Sequence, residues 1–201
     1  MSTRRSLALV DLDEQGVDRA FRADVLAGLR QEPKAIPARW FYDERGSQLF
    51  EDITRLPEYY PTRAETEILG AQGADFAELV GPGRAVVEFG SGSSVKTPLL
   101  LQAIAPAAYV PLDISGDFLR ESCAGLQARY SRLAVMPVVA DFTGQVALPV
   151  EVGEGRALGF FPGSTIGNME PAPAVDLLRS MRAGRLRPSL RAPRKRVPTV
   201  G

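Results

Sequence analysis

Apolar positions in the first eighty residues recur at helical intervals. Val17, Phe21, Val25 and Leu29 stand four residues apart among polar neighbours, which predicts a helix from about Glu14 to Gln31 with one apolar face. Pro33 and Pro37 end it. A short helix over Ser47 to Thr54 is expected to bury Leu49, Phe50 and Ile53, and the Pro57 to Pro61 segment reads as a loop. Thr62 and Glu65 have the spacing of a capping box, predicting a third helix with Ile68, Leu69, Phe76, Leu79 and Val80 on its inner side.

From Gly83 the period changes to strand, glycine turn, helix. Arg84 to Phe89 (RAVVEF) is a short apolar run, followed by GSGSS and a helix carrying Leu99, Leu100, Ala103 and Ile104. Ala108 to Leu112, with Asp113 at its end, predicts a second strand. Ser115 then caps a helix bearing Leu119, Cys123 and Leu126. Leu133 to Val139 and Ala157 to Phe161 supply two more strands, the last leading into PGSTIGN and a helix from about Ala172. Short buried strands alternating with amphipathic helices indicate an α/β fold: a doubly wound, Rossmann-like parallel sheet preceded by a helical segment.

The expected organisation is therefore a helical segment over 1–80, a Rossmann-like domain over 81–183 and a tail over 184–201. The tail is arginine- and proline-rich, without apolar period, where a sheet of this type calls for another strand. It reads as a solvated basic segment, with a nucleic-acid arm and a stretch foreign to the fold as alternatives.

Composition narrows the chemistry. The chain has 201 residues, no histidine and a single cysteine, Cys123, which excludes an internal disulfide, a Cys/His zinc site and hydrolytic triads built on imidazole. A cytoplasmic protein is the expectation. The net charge is zero, but eight of the 24 basic residues lie from Arg179 onward with no acidic residue among them. Residues 1–178 thus carry sixteen basic against 24 acidic side chains, a net charge of −8 that argues against a nucleic-acid partner. No apolar run approaches the length of a membrane span, so no membrane partner is expected.

The turn Glu88-Phe89-Gly90-Ser91-Gly92-Ser93-Ser94 lacks the third glycine of a dinucleotide fingerprint and any following Walker lysine-serine pair. Taken alone, a GxG turn does not separate one adenosine cofactor from another. Its surroundings do more. Glu88 precedes the first glycine, Asp113 ends the second strand 25 positions later and Asp141-Phe142 ends the third. Carboxyl ends of parallel strands open onto one crevice, so these acids and Gly90 are expected to line a single pocket. An acidic pocket repels a pyrophosphate and suits a sulfonium and an ammonium, which favours S-adenosylmethionine over a nicotinamide dinucleotide.

Five segments carry a family resemblance: RWFYDERGSQLFEDITRLPEYYPTRAETEIL (39–69), VVEFGSGSSVKT (86–97), PLDIS (111–115), ADF (140–142) and FFPGSTIGNMEP (160–171). Over roughly residues 14–183 the chain resembles the S-adenosylmethionine-dependent histidine Nα-methyltransferases of ergothioneine biosynthesis. The resemblance implies trimethylation of the α-amino group of L-histidine to hercynine. It also implies that Gly90, Lys96, Asp113, Asp141 and Phe142 contact the cofactor and that Tyr59 and Asn168 hold the histidine. Tyr42 is a further candidate for the wall near the amine. Direct displacement by a neutral amine needs positioning more than covalent catalysis, so a histidine-free chain is compatible with it. No general base is assigned. Family members continue past this point with further strands and an inserted substrate domain, so a C-terminally shortened member is expected, its sheet ending in an edge. A non-catalytic cofactor-binding module and a methyltransferase for another amine are the alternatives, and oligomeric state is not legible.

Overall fold

The computed structural model describes residues 11–92, 96–143, 146–149, 152 and 157–182. The proposed tail over 184–201 lies outside them. The chain divides into two compact units, meeting in sequence between Tyr42 and Asp43.

The first unit is built on α1 (Arg19–Gly28) and a 3-10 turn over Ala38–Phe41. The helix starts later than the apolar stripe suggests because Asp13 closes a turn, its carboxylate accepting the Gln15 and Val17 N–H groups, with Gly16 at φ +75°. Asp18 then caps the helix by accepting the Phe21 N–H at 3.0 Å. At the other end a Cβ on Gly28 would lie 1.8 Å from the Ala35 carbonyl oxygen, so only glycine permits that return of the chain. Trp40 packs edge-on against Phe21, with ring centroids 5.2 Å apart, and its indole N–H donates to Asp24.

In the second unit three helices precede the sheet: α2 (Glu44–Thr54), α3 (Pro61–Ala71) and α4 (Gly73–Val80). Asp43, four residues before the expected start, caps α2 through the Gly46 N–H. Phe50 is half-buried, whereas Leu49 and Ile53 are exposed, contrary to the expectation that all three go inward. The expected single helix is two, separated at Gln72. Pro61 opens α3 at a position where its missing N–H costs nothing, and Thr62 makes no cap. The capping box is thus absent, and Glu65 is used elsewhere. Leu69, Phe76 and Val80 pack inward as expected, but Ile68 and Leu79 face solvent.

The sheet is parallel throughout, with β1 (Ala85–Phe89) paired on one side with β2 (Ala108–Asp113) and on the other with β5 (Ala157–Phe160). β2 pairs in turn with β3 (Ala134–Val135) and β4 (Val138–Val139). The expected third strand is interrupted where Pro137 stands opposite Pro111 in the common register: the Met136 and Ala140 N–H groups donate to β2, but Pro111 has no N–H to return to this strand. Between strands run α5 (Thr97–Ile104) and α6 (Gly116–Arg129), and α7 (Pro171–Arg182) follows β5. This is the Rossmann-like arrangement read from the sequence.

Both faces of the sheet are covered, which explains the near-continuous apolar strands. Val86 and Tyr109 join Leu69, Leu100, Leu101, Ile104 and Leu126 of the helices on one face. On the other, Ala85, Val87, Phe89, Val110 and Leu112 pack with Val146, Leu148 and Val152, against which Met181 of α7 also lies.

Candidate functional site

The carboxyl ends of β1, β2 and β4 meet at the glycine turn. Gly90 adopts φ +71° and Gly92 φ +49°, conformations that side chains with a Cβ resist. The Gly90 and Ser91 N–H groups both donate to the Leu112 carbonyl, at 2.9 and 3.0 Å, folding the turn back over the end of β2. The Gly92 N–H donates to Asp113 Oδ2 at 2.9 Å, and Ser122 of α6 donates its hydroxyl to the Gly92 carbonyl. Every N–H from residue 90 to 92 is therefore committed to a protein acceptor. This part of the turn is no phosphate cradle, in agreement with the missing third glycine.

Asp113 has two jobs. While Oδ2 holds Gly92, Oδ1 accepts the Ser115 N–H at 2.9 Å and so shapes the turn into α6. A carboxylate has about four acceptor sites, and these two bonds leave two for a ligand's hydroxyls. The Ala140 N–H donates to the Asp113 carbonyl at 3.0 Å, which brings the chain leaving β4 alongside. There Asp141 accepts the backbone N–H of Thr143 at 2.9 Å, holding the following turn. The Phe142 ring lies over the glycine turn, where a Cβ on Gly90 would be 3.3 Å from its Cε1. Phe142 also meets Phe89 and Phe161 edge-on, with centroids 6.3 and 5.5 Å away, which ties it to the core beneath the turn. Gly90, Asp113, Asp141 and Phe142 are thus brought together.

Glu88 is not part of this lining. Strand alternation places it on the face shared with Val86, under α5, where it is 2% exposed. Thr97 donates to both of its oxygens at 3.0 and 2.8 Å, and the Tyr109 hydroxyl donates to Oε2 at 2.6 Å. Burial pushes its carboxyl up to about 7 against these hydrogen bonds. The expectation that three acids line the pocket reduces to two, because a residue at a strand end can face the layer beneath as readily as the crevice.

Lys96 stands at the N-cap of α5, one position before the helix. Its ammonium pairs with Glu65 of α3, with only 15% of the lysine side chain and 27% of the glutamate side chain exposed. The same carboxylate accepts the Gly163 N–H, at 2.8 Å to Oε1 and 3.1 Å to Oε2. Glu65 thereby joins the glycine-turn side of the site to the loop after β5. Sequence reading missed it because its spacing from Thr62 had a local explanation.

The two residues expected to hold substrate stand on loops. Tyr59 is half-buried and packs edge-on against Phe50 of α2 at 6.0 Å, while Arg63 ties the loop down by donating to the Leu56 and Tyr59 carbonyls. Asn168 is exposed at the end of a 3-10 turn over Thr165–Asn168. That turn follows Gly163 and Ser164, both left-handed at φ +86° and +58°. The bond from Gly163 to Glu65 connects the Asn168 loop to the helix that begins two residues after Tyr59. Tyr42 ends the first unit, after the 3-10 turn.

These features coincide with what the chain is similar to. A family model described as histidine-specific methyltransferase, SAM-dependent, matches residues 21–191. A histidine N-alpha-methyltransferase of Mycobacterium tuberculosis is 42% identical over 182 residues, covering 88% of this chain and 55% of that protein. The protein of the same name from Mycolicibacterium smegmatis is 43% identical over 166 residues, 81% of this chain and 51% of its own. A 4-dimethylallyltryptophan N-methyltransferase of Claviceps purpurea is 31% identical over 118 residues, 57% of this chain and 34% of its own. The chain spans about half the length of the curated histidine methyltransferases it matches. With the parallel sheet, the glycine turn and the acid at the end of β2 in place, the chain belongs to the SAM-dependent histidine-specific methyltransferase family.

Proposed function

We propose that this chain binds S-adenosylmethionine at the glycine turn and serves methylation of the α-amino group of L-histidine, giving the trimethylated betaine hercynine on the way to ergothioneine. The observation that carries the reading is the crevice at the ends of β1, β2 and β4. It presents Asp113 with acceptor capacity left over and Asp141 beside it, and residues 90–92 of its turn have no amide to spare for a phosphate. Such a site fits a cofactor that offers ribose hydroxyls and positive charge. Gly90 leaves room beside the Phe142 ring that a Cβ would take.

In this reading Asp113 accepts the ribose hydroxyls, Phe142 and Gly90 bound the cofactor's flat parts, and Lys96 and Asp141 complete its polar contacts. When bound, S-adenosylmethionine supplies a methyl group activated on sulfonium. Tyr59 and Asn168 orient the amino acid so that its neutral amine faces that methyl, and positioning supplies most of the rate. The helical segment over 1–80 contributes to the substrate pocket through Tyr59. A cytoplasmic setting agrees with Cys123, a free buried thiol that burial pushes up to about 11. No described helix is long and apolar enough to cross a membrane.

Calorimetric titration with S-adenosylhomocysteine, with and without L-histidine, tests the reading. Binding that histidine strengthens is the expected result, and absence of binding to a cooperatively folded chain overturns it. Methylation of another amine is the second reading, favoured by the tryptophan-derived substrate in the Claviceps relative's name. Replacing histidine by tryptophan in the same titration separates the two.

A further inference from the structure

Glu65 is the one described carboxylate bonded both to the lysine beside the glycine turn and to the loop that carries Asn168. Its partners are 31 and 98 residues away in sequence, so local helix chemistry does not account for the arrangement. Both of its oxygens receive the Gly163 N–H, and one of them is shared with the Lys96 ammonium. The pair is largely withdrawn from water, which makes each charge dependent on the other. The loop it anchors starts with two left-handed residues, one of them the non-glycine Ser164, a backbone shape that tertiary contacts have to hold. Asn168 lies only five residues beyond the anchored amide.

We infer that Glu65 is a positioning residue that couples Lys96 to the Gly163 amide, so that a change at the glycine turn is felt in the loop bearing Asn168. The coupling is a property of the ligand-free chain; its use, to make cofactor and amino-acid binding cooperative, rests on the function proposed above. Displacing the lysine from Glu65 frees lone pairs and charge on the same oxygens that hold Gly163, so the loop's anchor strengthens or slackens with the occupancy of the lysine.

Amide hydrogen exchange followed by NMR on the full chain decides the matter. In Lys96→Met the Gly163 amide is expected to change its exchange rate by about two- to tenfold, although Lys96 itself makes no bond to it. The Val87 amide in the buried strand β1 should not change, which distinguishes coupling from general loosening. Glu65→Gln keeps an acceptor for Gly163, and in that background the Lys96→Met change should no longer alter Gly163. An unchanged Gly163 in Lys96→Met, effects that add in the double variant, or equal changes at Val87 each overturn the coupling. If Glu65→Gln fails to fold, the Lys96→Met comparison alone decides. Adding S-adenosylhomocysteine should then move the Gly163 resonance in the parent chain. Binding without that movement overturns the use of the coupling by the cofactor and leaves the proposed function standing, whereas no binding overturns the proposed function and leaves the ligand-free result to judge Glu65.

Discussion

The two halves of the candidate site are held by different means. Around the glycine turn, backbone groups bond backbone groups in step with the sheet: Gly90 and Ser91 to Leu112, and Ala140 to Asp113. The residues beneath are buried, among them Phe89, Val110 and Leu112. The loops carrying Tyr59 and Asn168 lie beyond the sheet and are fastened by side chains, through Arg63 and Glu65. A turn fixed by sheet register is preorganised by the fold itself. A loop that turns on its own short-range backbone bonds and is tied to the rest of the fold by single side chains has a low cost of rearrangement, as suits residues that must admit and release a substrate.

The strongest way to break this contrast is at Leu112, whose side chain is fully buried and whose carbonyl receives two turn amides. Leu112→Ala should cost about 2–5 kcal/mol in urea unfolding and take the cofactor half down with the core. A loss below about 1 kcal/mol would mean that the Leu112 side chain adds little to the core on which the turn rests.

Next in size is the pH dependence set by Glu88. Its carboxyl titrates near 7 in the folded chain, against 4.5 for an ordinary glutamate. Between these values the folded state binds more protons than the unfolded one, so stability should fall as pH rises from about 5 to above 7, by roughly 2–3 kcal/mol in total. Glu88→Gln should flatten that slope in chemical denaturation at several pH values. A parent chain whose stability is level across the window would place the carboxylate in a wetter setting.

Asp113→Ala separates holding the turn from holding a ligand. Loss of the charged acceptor should weaken S-adenosylhomocysteine binding by about 1–3 kcal/mol in calorimetry. Because Gly92 and Ser115 lose their acceptor too, the melting temperature should also fall. Unchanged affinity removes Asp113 from the ligand site.

The smallest effect sharpens the comparison from the loop side. Asn168 is exposed, so Asn168→Ala should shift stability by less than about 0.5 kcal/mol and leave S-adenosylhomocysteine affinity as it was, while abolishing any strengthening by histidine. A large drop in stability would make Asn168 a structural residue of its turn.

Local chemistry was most legible where one constraint dominates. The apolar runs of β1 and β2, the glycines of the turn and the acid ending β2 were readable because buried parallel strands and close backbone turns leave few residue types acceptable. Leu119, Cys123 and Leu126 were readable as the inner face of α6 for the same reason. Reading failed where two local explanations competed. Thr62 and Glu65 match a capping box, yet Pro61 starts the helix and Glu65 reaches across the fold. Ile68 and Leu79 were drawn into the stripe of one helix, whereas the chain forms two helices meeting at Gln72 and leaves both side chains exposed.

By itself the sequence determined the class of fold, the position of the glycine turn and the family, because period, glycine placement and motif order survive without knowledge of contacts. Only the tertiary structure decided which acid faces the crevice and which is buried. Glu88 and Asp113 both end strands, but alternation and the hydroxyls of Thr97 and Tyr109 draw Glu88 beneath α5, while the Gly92 and Ser115 amides hold Asp113 at the opening. It also decided the partner of Lys96, since a bond spanning 31 residues depends on how α3 lies against α5 and leaves no periodic trace in the chain.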